Sequence, residues 1–526
     1  MSRPMVVIAE AVADAAVAAL SERVDVDVAT QCSPAELLER MGAASGLIVR
    51  SATQVDAALI DAAPGLQVIG RAGVGVDNID VAAATAAGVM VVNAPDANTV
   101  SAAEHTMALL LAQARRIAEA DASLRAGAWD RKRLKGVELS GKTLGILGLG
   151  RIGTLVAMRA SAFGMRIVAY DPYVSDERVR AIGASSASLD EVFAHADFIT
   201  IHLPRTADTL GLIDAGAIAS MKPGVRIVNV ARGGLVDEAA LADAIRRGHV
   251  GGAAFDVFAK EPTTESPLFE LPEVVVTPHL GASTQEAQDK AGLAVARAVL
   301  AALDGELVPS AVNLSLGGRI DDAARPYVRL TEGLGQVFTS FAHGLPGELA
   351  VSARGRDVEE MVPAVALAAM KGMLLEATDE PVSYVNAPVL AARHGMKVLE
   401  ESVPEAEDYR AVIHLSGKVE GVDREIAGTV MAHKGPVLVS VDGYEIEFPM
   451  TRHMLLVRNA DTPGVIGRVG TALGDAGVNI SDMAVGRGPD DGAMMGISMD
   501  QEVPPGLLDR IRALEGVLAA RYIQLR

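Results

Sequence analysis

Short apolar runs alternate with alanine-rich amphipathic stretches along the first part of the chain. The runs MVVIA, GLIVR, LQVIG and VMVVN have the pattern of buried strands, and segments such as PAELLERMG and VAAATAAG have helical spacing. This alternation is typical of a parallel sheet wound with helices. A long helical pattern from Val100 to about Ala126 then predicts a connector to a second unit.

A second series of apolar runs follows this connector. It consists of KTLGILG, RIVAYD, FITIHLP, RIVNVAR, GGAAFDVF and VVVTPHLG. These runs predict six strands, enough for a complete dinucleotide-binding sheet. A helical pattern from Gln285 to Leu303 would return the chain to the first unit, which makes that unit discontinuous. The sequence therefore predicts an α/β protein of two Rossmann-like or flavodoxin-like lobes, with the active site in the cleft between them.

The pattern changes beyond VPSAVNLSLGG to mixed helices and alternating strands, where Asp442-Gly443 predicts a two-residue hairpin. From about His453, the order strand, helix, strand, strand, helix, strand predicts a ferredoxin-like βαββαβ module. The predicted domains are a first lobe of residues 1–98 and 285–317, a second lobe of residues 99–284, an α+β intervening domain of residues 318–452 and a final module of residues 453–526.

Composition narrows the class of protein. The 526 residues carry a formal net charge of −20, which argues against binding to nucleic acid or to an anionic membrane. The single cysteine, Cys32, excludes an intramolecular disulfide and a cysteine-rich metal site, and no metal is expected. The start MSRPMVVIAE lacks a basic-then-apolar signal pattern, so a cytoplasmic location is the expectation.

The string GLGRIG follows a predicted strand and opens a predicted helix. Gly148 permits the sharp turn, Gly150 lets the backbone approach a pyrophosphate, and Gly153 lets helix and strand pack closely. Asp171, at the end of the next strand, is placed to bind the ribose hydroxyls and to repel a 2′-phosphate. A strand-turn-helix packed through glycines is the alternative, but the neighbouring features favour NAD as the cofactor.

Three polar side chains follow successive strands of the second lobe. Arg232 lies in VNVARGGLVDEAAL, Glu261 in FDVFAKEP after Asp256, and His279 in VVVTPHLGAST. Ligands of open α/β sheets bind at the carboxyl ends of the strands, where these residues are expected to meet. Taken singly, each is better explained as a solvated strand end, a loop acid or a turn histidine. Together they predict a base oriented by a carboxylate and an arginine that binds a substrate carboxylate.

These motifs carry a resemblance to a known family. GLGRIG, YDP, VNVARGGLVDEAAL, FDVFAKEP and TPHLGASTQEAQ resemble the D-isomer-specific 2-hydroxyacid dehydrogenases. With IVRSAT, IGRAGVGVDNID and GAWDRKRLKG, the resemblance narrows to the branch that oxidises 3-phospho-D-glycerate with NAD, the first step of phosphorylated serine synthesis. It extends from about residue 5 to residue 315, and it makes residues 1–98 and 285–317 the substrate-binding domain and residues 99–284 the NAD-binding domain.

The resemblance also implies roles for individual residues. Arg232, Glu261 and His279 would be catalytic. The implied cofactor-binding residues are Gly148, Gly150, Arg151, Ile152, Gly153, Asp171, Thr206, Ala231, Asp256 and His279. The implied substrate-binding residues are Arg50, Arg71, Val74, Gly75, Arg131 and Arg232. Arg131 belongs to a basic run at 131–133 that would reach the phosphate from a neighbouring subunit, although a solvated loop is the alternative.

The last module is similar to an ACT domain through VRNADTPGVIGRVGTALGDAGVNISDM. The resemblance implies L-serine as a feedback effector, held between two subunits by Asn459, Asp461 and Asn479, and a homotetramer. Asn459 stands where bacterial relatives sometimes have an aromatic residue. A module that only assembles subunits is the alternative interpretation.

Two other functions compete with this interpretation. A glyoxylate or hydroxypyruvate reductase of the same superfamily would not need Arg50, Arg71 and the basic run at 131–133 together. A corepressor-like protein gated by a dinucleotide could also retain the reactive groups, and the sensor module argues against it.

Overall fold

The computed structural model describes residues 3–314, 325–356, 358–406, 408–488 and 492–525. The first sheet has five parallel strands in the order β2-β1-β3-β4-β5. Its strands are β1 (Met5–Ile8), β2 (Asp25–Val28), β3 (Gly46–Val49), β4 (Val68–Arg71) and β5 (Met90–Val92). Its helices are α1 (Asp14–Ser21), α2 (Pro34–Met41), α3 (Ala57–Asp61) and α4 (Val81–Ala86). The sequence analysis missed β2, because this edge strand has the sequence DVDV and lacks a continuous apolar run.

The connector consists of two helices, α5 (Thr99–Ala114) and α6 (Ile117–Arg125). The prediction of one continuous helix from Val100 to Ala126 is therefore wrong. Arg116 has a left-handed backbone with φ of 51°, which ends the hydrogen-bonding pattern of α5. Its guanidinium binds the Glu119 carboxylate at 2.7 Å, in the first turn of α6.

The second sheet is fully parallel, in the order β12-β11-β10-β9-β6-β7-β8. Its strands are β6 (Thr143–Leu147), β7 (Arg166–Tyr170), β8 (Ser185–Ser186), β9 (Phe198–Ile201), β10 (Val225–Asn229), β11 (Val250–Phe255) and β12 (Val274–Val276). Its helices are α7 (Arg151–Ala162), α8 (Asp176–Ala181), α9 (Leu189–His195), α10 (Ala215–Ser220) and α11 (Glu238–Arg246). Six of the strands were predicted, and the seventh, β8, is only two residues long. Strand order reverses between β6 and β9, which opens a crevice at their carboxyl ends.

Helix α12 (Gln285–Leu303) has the predicted bounds and packs on the first sheet. Gly70 in β4 makes this contact close, since a Cβ there would lie 2.5 Å from a methyl of Val295. The chain thus returns to the first lobe, as the helical pattern predicted. The predicted domain boundary at residues 317 and 318 lies outside the described residues, and the domain bounds stay predictions.

The intervening region folds as a six-stranded sheet, in the order β14-β13-β15-β16-β17-β18, with helices on one face. The helices are α13 (Arg325–Ala342), a 3-10 turn (Glu359–Met361), α14 (Val362–Ala377) and α15 (Ala387–Arg393). The strands are β13 (Glu348–Arg354), β14 (Lys397–Val403), β15 (Val412–Val419), β16 (Val422–Met431), β17 (Gly435–Val441) and β18 (Tyr444–Pro449). Asp442 and Gly443 both have positive φ, 46° and 77°, which confirms the predicted hairpin.

The last module contains β19 (His453–Ala460), α16 (Val465–Asp475), β20 (Ile480–Arg487), β21 (Gly492–Met499), α17 (Leu507–Arg512) and β22 (Val517–Gln524). Its antiparallel order β20-β21-β19-β22 confirms the predicted βαββαβ fold. The sheet packs on β18 through glycines: Gly496 lies under the ring of Phe448. Within the described ranges, none of the helices has the length and apolar character needed to span a membrane.

Candidate active site

The glycine loop after β6 has the geometry of a phosphate cradle. Gly148 has φ of 95°, and a Cβ there would lie 2.7 Å from the carbonyl oxygen of His202. A Cβ on Gly153 would lie 2.1 Å from the carbonyl oxygen of Gly148, so only glycine lets α7 start this close to the strand. Gly150 precedes α7, and its Cβ position meets nothing within 4 Å. The loop therefore packs closely on the protein at Gly148 and Gly153 and leaves free space at Gly150. This free space at the helix N-terminus fits a pyrophosphate.

Asp171 lies beside this loop at the end of β7. Its carboxylate accepts hydrogen bonds from the backbone amides of Leu149, at 2.8 Å, and Tyr173, at 2.9 Å. These two bonds orient the carboxylate next to the glycine loop. The position fits the predicted contact with ribose hydroxyls and supports NAD over NADP.

The other predicted cofactor residues border the crevice in different ways. Arg151 reaches across to the first lobe, where its Nε lies 2.7 Å from Asp96 Oδ1. Thr206 is exposed in a turn in which its amide binds the Thr209 hydroxyl at 2.8 Å. Ile152, next to Arg151, is half-buried at the start of α7. Their roles toward NAD stay predictions.

His279 and Glu261 form a close pair. Nδ1 of His279 lies 2.5 Å from Oε2 of Glu261, and the other carboxylate oxygen accepts the amide of Phe258 at 2.8 Å. Burial opposes ionisation of Glu261, but the hydrogen bonds from His279 and Phe258 outweigh it and lower the pKa of this carboxyl. The bond to Glu261 raises the pKa of His279 above its ordinary value, against burial and the positive charge of Arg232. The pair can thus hold a proton at Nδ1 and leave Nε2 to accept another.

Asp256 holds the turn that carries His279. The Asp256 carboxylate is fully buried and accepts the amides of Leu280, at 2.7 Å, and Gly281, at 2.8 Å. Its carbonyl oxygen accepts the amide of His279 at 2.8 Å. The backbone of His279 has φ of 54°, which is unusual for a residue other than glycine, and these bonds support that conformation. Asp256 thus supports the histidine turn through its carboxylate and its carbonyl, whereas its predicted contact with NAD stays a prediction.

Arg232 is positioned by a residue that the sequence analysis missed. Asn229, buried at the end of β10, donates to the carbonyl of Arg232 at 2.9 Å and accepts the amide of Ala231 at 3.0 Å. The Arg232 guanidinium lies beside Gly75, where a Cβ would come within 2.6 Å of it, and 3.7 Å from Asp77. An asparagine at a strand end is a common turn signal, and that signal was available in VNVARGG.

The first lobe contributes two more arginines to this cleft. Arg71 is mostly buried and donates to the carbonyl oxygen of Arg50 at 3.2 Å. Its guanidinium occupies the space that a side chain on Gly73 would need. Burial lowers the pKa of Arg71, and the positive charge of Arg232 lowers it further. Clustered, partly buried guanidiniums favour an anionic ligand with bidentate oxygens.

One cavity of about 660 Å³ joins these groups. Of the predicted site residues, it is lined by Arg50, Arg71, Val74, Gly75, Arg232, Glu261 and His279. The cavity therefore contains all three predicted catalytic residues and five of the six predicted substrate-binding residues, with Arg232 counted in both groups. The glycine loop and Asp171 lie outside this lining.

A half-buried carboxylate binds the loop that carries Arg50, and the sequence analysis missed it. Glu10 accepts the backbone amides of Arg50, at 2.9 Å, Ala52, at 3.1 Å, and Thr53, at 2.9 Å. Burial opposes its ionisation, yet these bonds lower its pKa overall. Asn78 donates to the carbonyls of Arg50 and Thr53 on the other side of the loop. The contact between Glu10 and the loop spans some forty residues of sequence, so no local pattern indicates it.

Arg131 lies apart from the cavity within one chain. It is exposed in the loop after α6, whereas its neighbour Arg133 is bound to Glu119 and to Asp130, the latter at 3.0 Å. Arg133 is thus held in place by two carboxylates of its own chain, whereas Arg131 is exposed to solvent. A contact of Arg131 with substrate in a neighbouring subunit stays a prediction.

The three predicted effector residues have different partners. Asp461 pairs with Arg487 at 3.0 Å, and Asn479 donates to Asp500 at 2.5 Å. Asn459 is buried in β19, and its side-chain oxygen has no hydrogen-bond partner among the described residues. The single chain does not join these three side chains by hydrogen bonds, and their role toward serine stays a prediction.

Comparison with known domains divides the chain in the same order. Residues 107–281 match the D-isomer specific 2-hydroxyacid dehydrogenase, NAD binding domain. Residues 323–442 match the D-3-phosphoglycerate dehydrogenase intervening domain, and residues 453–516 match the ACT domain. The chain therefore carries the NAD-binding domain of this family together with the two further domains.

Similar proteins cover nearly the whole chain. The D-3-phosphoglycerate dehydrogenase of Mycobacterium leprae is 48% identical over 96% of both chains. That of Methanocaldococcus jannaschii is 42% identical over 97% of this chain and 98% of its own length. Among solved structures, a glyoxylate reductase from Paecilomyes thermophila is 33% identical, with a TM-score of 0.55, and covers 59% of this chain and 99% of its own. The full-length similarity shows that this chain belongs to the D-3-phosphoglycerate dehydrogenases, within the D-isomer specific 2-hydroxyacid dehydrogenase family.

Proposed function

We propose that the protein oxidises 3-phospho-D-glycerate to 3-phosphohydroxypyruvate with NAD, as the first step of phosphorylated serine synthesis. One observation carries the proposal. The His279–Glu261 pair shares a single cavity with Arg50, Arg71 and Arg232. A base opposite several guanidiniums suits a hydroxy acid that carries two anionic groups.

His279 would be the general base. Its Nδ1 proton is held by Glu261, so Nε2 is the nitrogen that accepts the proton of the C2 hydroxyl. The resulting imidazolium is stabilised by the Glu261 carboxylate at 2.5 Å. In the reverse direction, the same imidazolium returns the proton to the C2 oxygen.

The arginines would hold the two ends of the substrate. Arg232 would bind the C1 carboxylate and polarise the C2 oxygen, and the backbone of Val74 and Gly75 would also contact the carboxylate. Arg50 and Arg71 would bind the phosphate, and Arg131 of a neighbouring subunit would bind it as well. Each charge-assisted bond of this kind contributes about 1.5–3 kcal/mol, so the loss of one would raise the KM ten- to a hundredfold.

The crevice fits NAD on the geometry of the glycine loop. Gly148, Gly150 and Gly153 would hold the pyrophosphate, and Asp171 would bind the adenosine ribose. Arg151, Ile152, Thr206, Ala231, Asp256 and His279 would complete its surroundings. When bound, NAD supplies the acceptor for the hydride from C2 of the substrate.

We also propose that L-serine binds between the ACT domains of two subunits in a homotetramer and inhibits the enzyme. Asp461 would bind its amino group, and Asn459 and Asn479 would bind its polar groups. The unpartnered side-chain oxygen of Asn459 supports a ligand there. Serine would have to displace the present bonds of Asp461 and Asn479. A cytoplasmic location is part of the same proposal, consistent with a single cysteine.

The test follows nicotinamide absorbance with the purified enzyme and NADH. It compares 3-phosphohydroxypyruvate with unphosphorylated hydroxypyruvate, each with and without L-serine. We expect a large preference for the phosphorylated substrate and inhibition by serine. Equal or better turnover of hydroxypyruvate would overturn the phosphate assignment in favour of a hydroxypyruvate reductase, and activity that serine does not change would reduce the ACT domain to an assembly element.

Two variants test the subunit contact. R131A should raise the KM for the phosphorylated substrate at least about tenfold and leave that for hydroxypyruvate unchanged. R125A is the matched control, because Arg125 is an exposed arginine of α6 paired with Asp121. Equal effects of the two substitutions would contradict a specific role for Arg131.

A further inference from the structure

The connector helix α5 touches the catalytic turn through His105. Nε2 of His105 lies 3.2 Å from Oδ1 of Asp256 and 3.0 Å from the hydroxyl oxygen of Thr277. The Thr277 hydroxyl donates its proton to the same Asp256 oxygen at 2.6 Å. The Thr277 oxygen is therefore left as an acceptor, which makes His105 Nε2–H the donor to both groups.

Three further bonds of Asp256 lead to the histidine turn. Its carboxylate accepts the amides of Leu280 and Gly281, and its carbonyl accepts the amide of His279. The carboxylate is fully buried, so each donor it has contributes to keeping it ionised and in place. A donor on α5 thus acts on the turn that holds His279 at φ of 54°.

A second contact joins the same face of α5 to the chain just beyond this turn. Ser101 lies four residues before His105, and its hydroxyl is 2.7 Å from that of Thr284. Thr284 caps the N-terminus of α12, where its hydroxyl accepts the amide of Ala287 at 3.2 Å. The helix that connects the two lobes therefore supports both ends of the segment from Thr277 to Thr284.

We infer that His105 is a positioning residue, which donates a hydrogen bond to Asp256 and thereby sets the position and the proton affinity of His279. This inference rests on the proposed role of His279 as the base. It assigns α5 a task beyond linking the lobes, because a donor on this helix acts on the turn that carries the proposed base.

The direction of the effect follows from the charges that face His279. Glu261 and Asp256 stabilise its protonated form, and Arg232 opposes it. Without the donor from His105, the Asp256 carboxylate is less neutralised and attracts the imidazolium more strongly. His279 would then release its proton at higher pH, and the base form would be scarcer at neutral pH.

The experiment compares H105A, H105Q and S101A with the unmodified enzyme. We expect H105A to move the acidic limb of the kcat/KM profile for oxidation upward by about half a pH unit. We expect kcat to fall about tenfold, with little change in the substrate KM. H105Q retains an N–H donor, so its acidic limb should lie at the pH of the unmodified enzyme. S101A loses a bond of similar length on the same helix, and its acidic limb should also stay at that pH.

A limb that stays in place in H105A, or that S101A moves equally, would overturn the inference. An activity-independent measurement separates this outcome from failure of the proposed function. The rate at which diethyl pyrocarbonate modifies His279, followed by mass spectrometry at a series of pH values, reports the pKa of this side chain in enzyme without substrate. The same upward shift in H105A would support the inference even if 3-phosphoglycerate is not the substrate, and no shift would refute it.

Discussion

Replacing Glu261 with glutamine tests how the base is oriented. In the unmodified enzyme, the oxidation rate should rise with pH along a limb centred above about pH 6.5, because His279 must be neutral to accept a proton and Glu261 raises its pKa. The E261Q substitution removes this negative charge. The limb should therefore move to lower pH.

The size of the shift follows from the geometry of the pair. A charge-assisted hydrogen bond contributes about 1.5–3 kcal/mol. Both side chains are partly exposed, 51% for His279 and 30% for Glu261, so solvent screening reduces this to about 1 kcal/mol. A free energy of that size corresponds to about 0.7 of a pKa unit.

The rate should fall much more than this shift implies. The amide of Phe258 binds the carboxylate oxygen that does not face His279, at 2.8 Å, and would hold the glutamine oxygen in the same place. The glutamine NH₂ would then donate to Nδ1 of His279. Neutral His279 would carry its proton on Nε2, the nitrogen that has to accept one. We expect kcat for oxidation to fall on the order of 1000-fold at the optimal pH.

The assay is the initial rate of NADH formation from about pH 5.5 to about pH 9.5, with saturating NAD. E265Q is the matched control: it makes the same chemical change on an exposed residue of the same loop, and it should leave both rate and limb unchanged. A limb in E261Q that stays in place or moves upward would refute the reasoning, and so would a rate loss shared by the control.

Three further substitutions test the cofactor site and the C-terminal packing. G150A should leave the Tm unchanged, because the added Cβ meets no protein atom within 4 Å. It should raise the KM for NAD at least about tenfold, because the Cβ would project toward the proposed phosphate position. A large fall in Tm would contradict the free space at Gly150. D171A should lower kcat/KM with NAD about tenfold and reduce the preference of the enzyme for NAD over NADP. An unchanged ratio of kcat/KM for NAD to that for NADP would exclude a contact of Asp171 with the ribose. F448A should lower the free energy of unfolding by about 3–5 kcal/mol in urea titration, because the buried ring fills the space over Gly496; a loss below about 1 kcal/mol would mean that the two sheets do not share a core.

Much of the fold could be predicted from local patterns. The strands after the connector, helix α12 and the βαββαβ module follow from continuous apolar runs and helical spacing. The patterns failed at β2, where aspartates interrupt the apolar run, at the two-residue strand β8 and at Arg116, whose left-handed backbone has no local signal. At β2 and β8, pairing with a neighbouring strand decides the conformation.

The candidate site divides in the same way. The glycines, Asp171, Arg232, Glu261 and His279 could be named from sequence, because a residue type at a strand end is a local feature of an open α/β sheet. Glu10 and Asn78 could not, since each acts by binding the backbone of the segment that carries Arg50. Asn229 could have been named, because its turn signal in VNVARGG is local. In the sequence, a half-buried carboxylate such as that of Glu10 resembles any surface acid.

The sequence by itself determined the order of the domains and the type of each lobe, and it named the side chains that we propose react. Only the tertiary structure decided which of those side chains share a cavity, how the His279 turn is supported and where the arginines lie relative to the base. The physical reason is that periodicity and turn chemistry act over a few residues. The bonds that orient the site, such as those between His105 and Asp256 and between Arg50 and Glu10, join residues far apart in the chain, and they exist only once each lobe has folded.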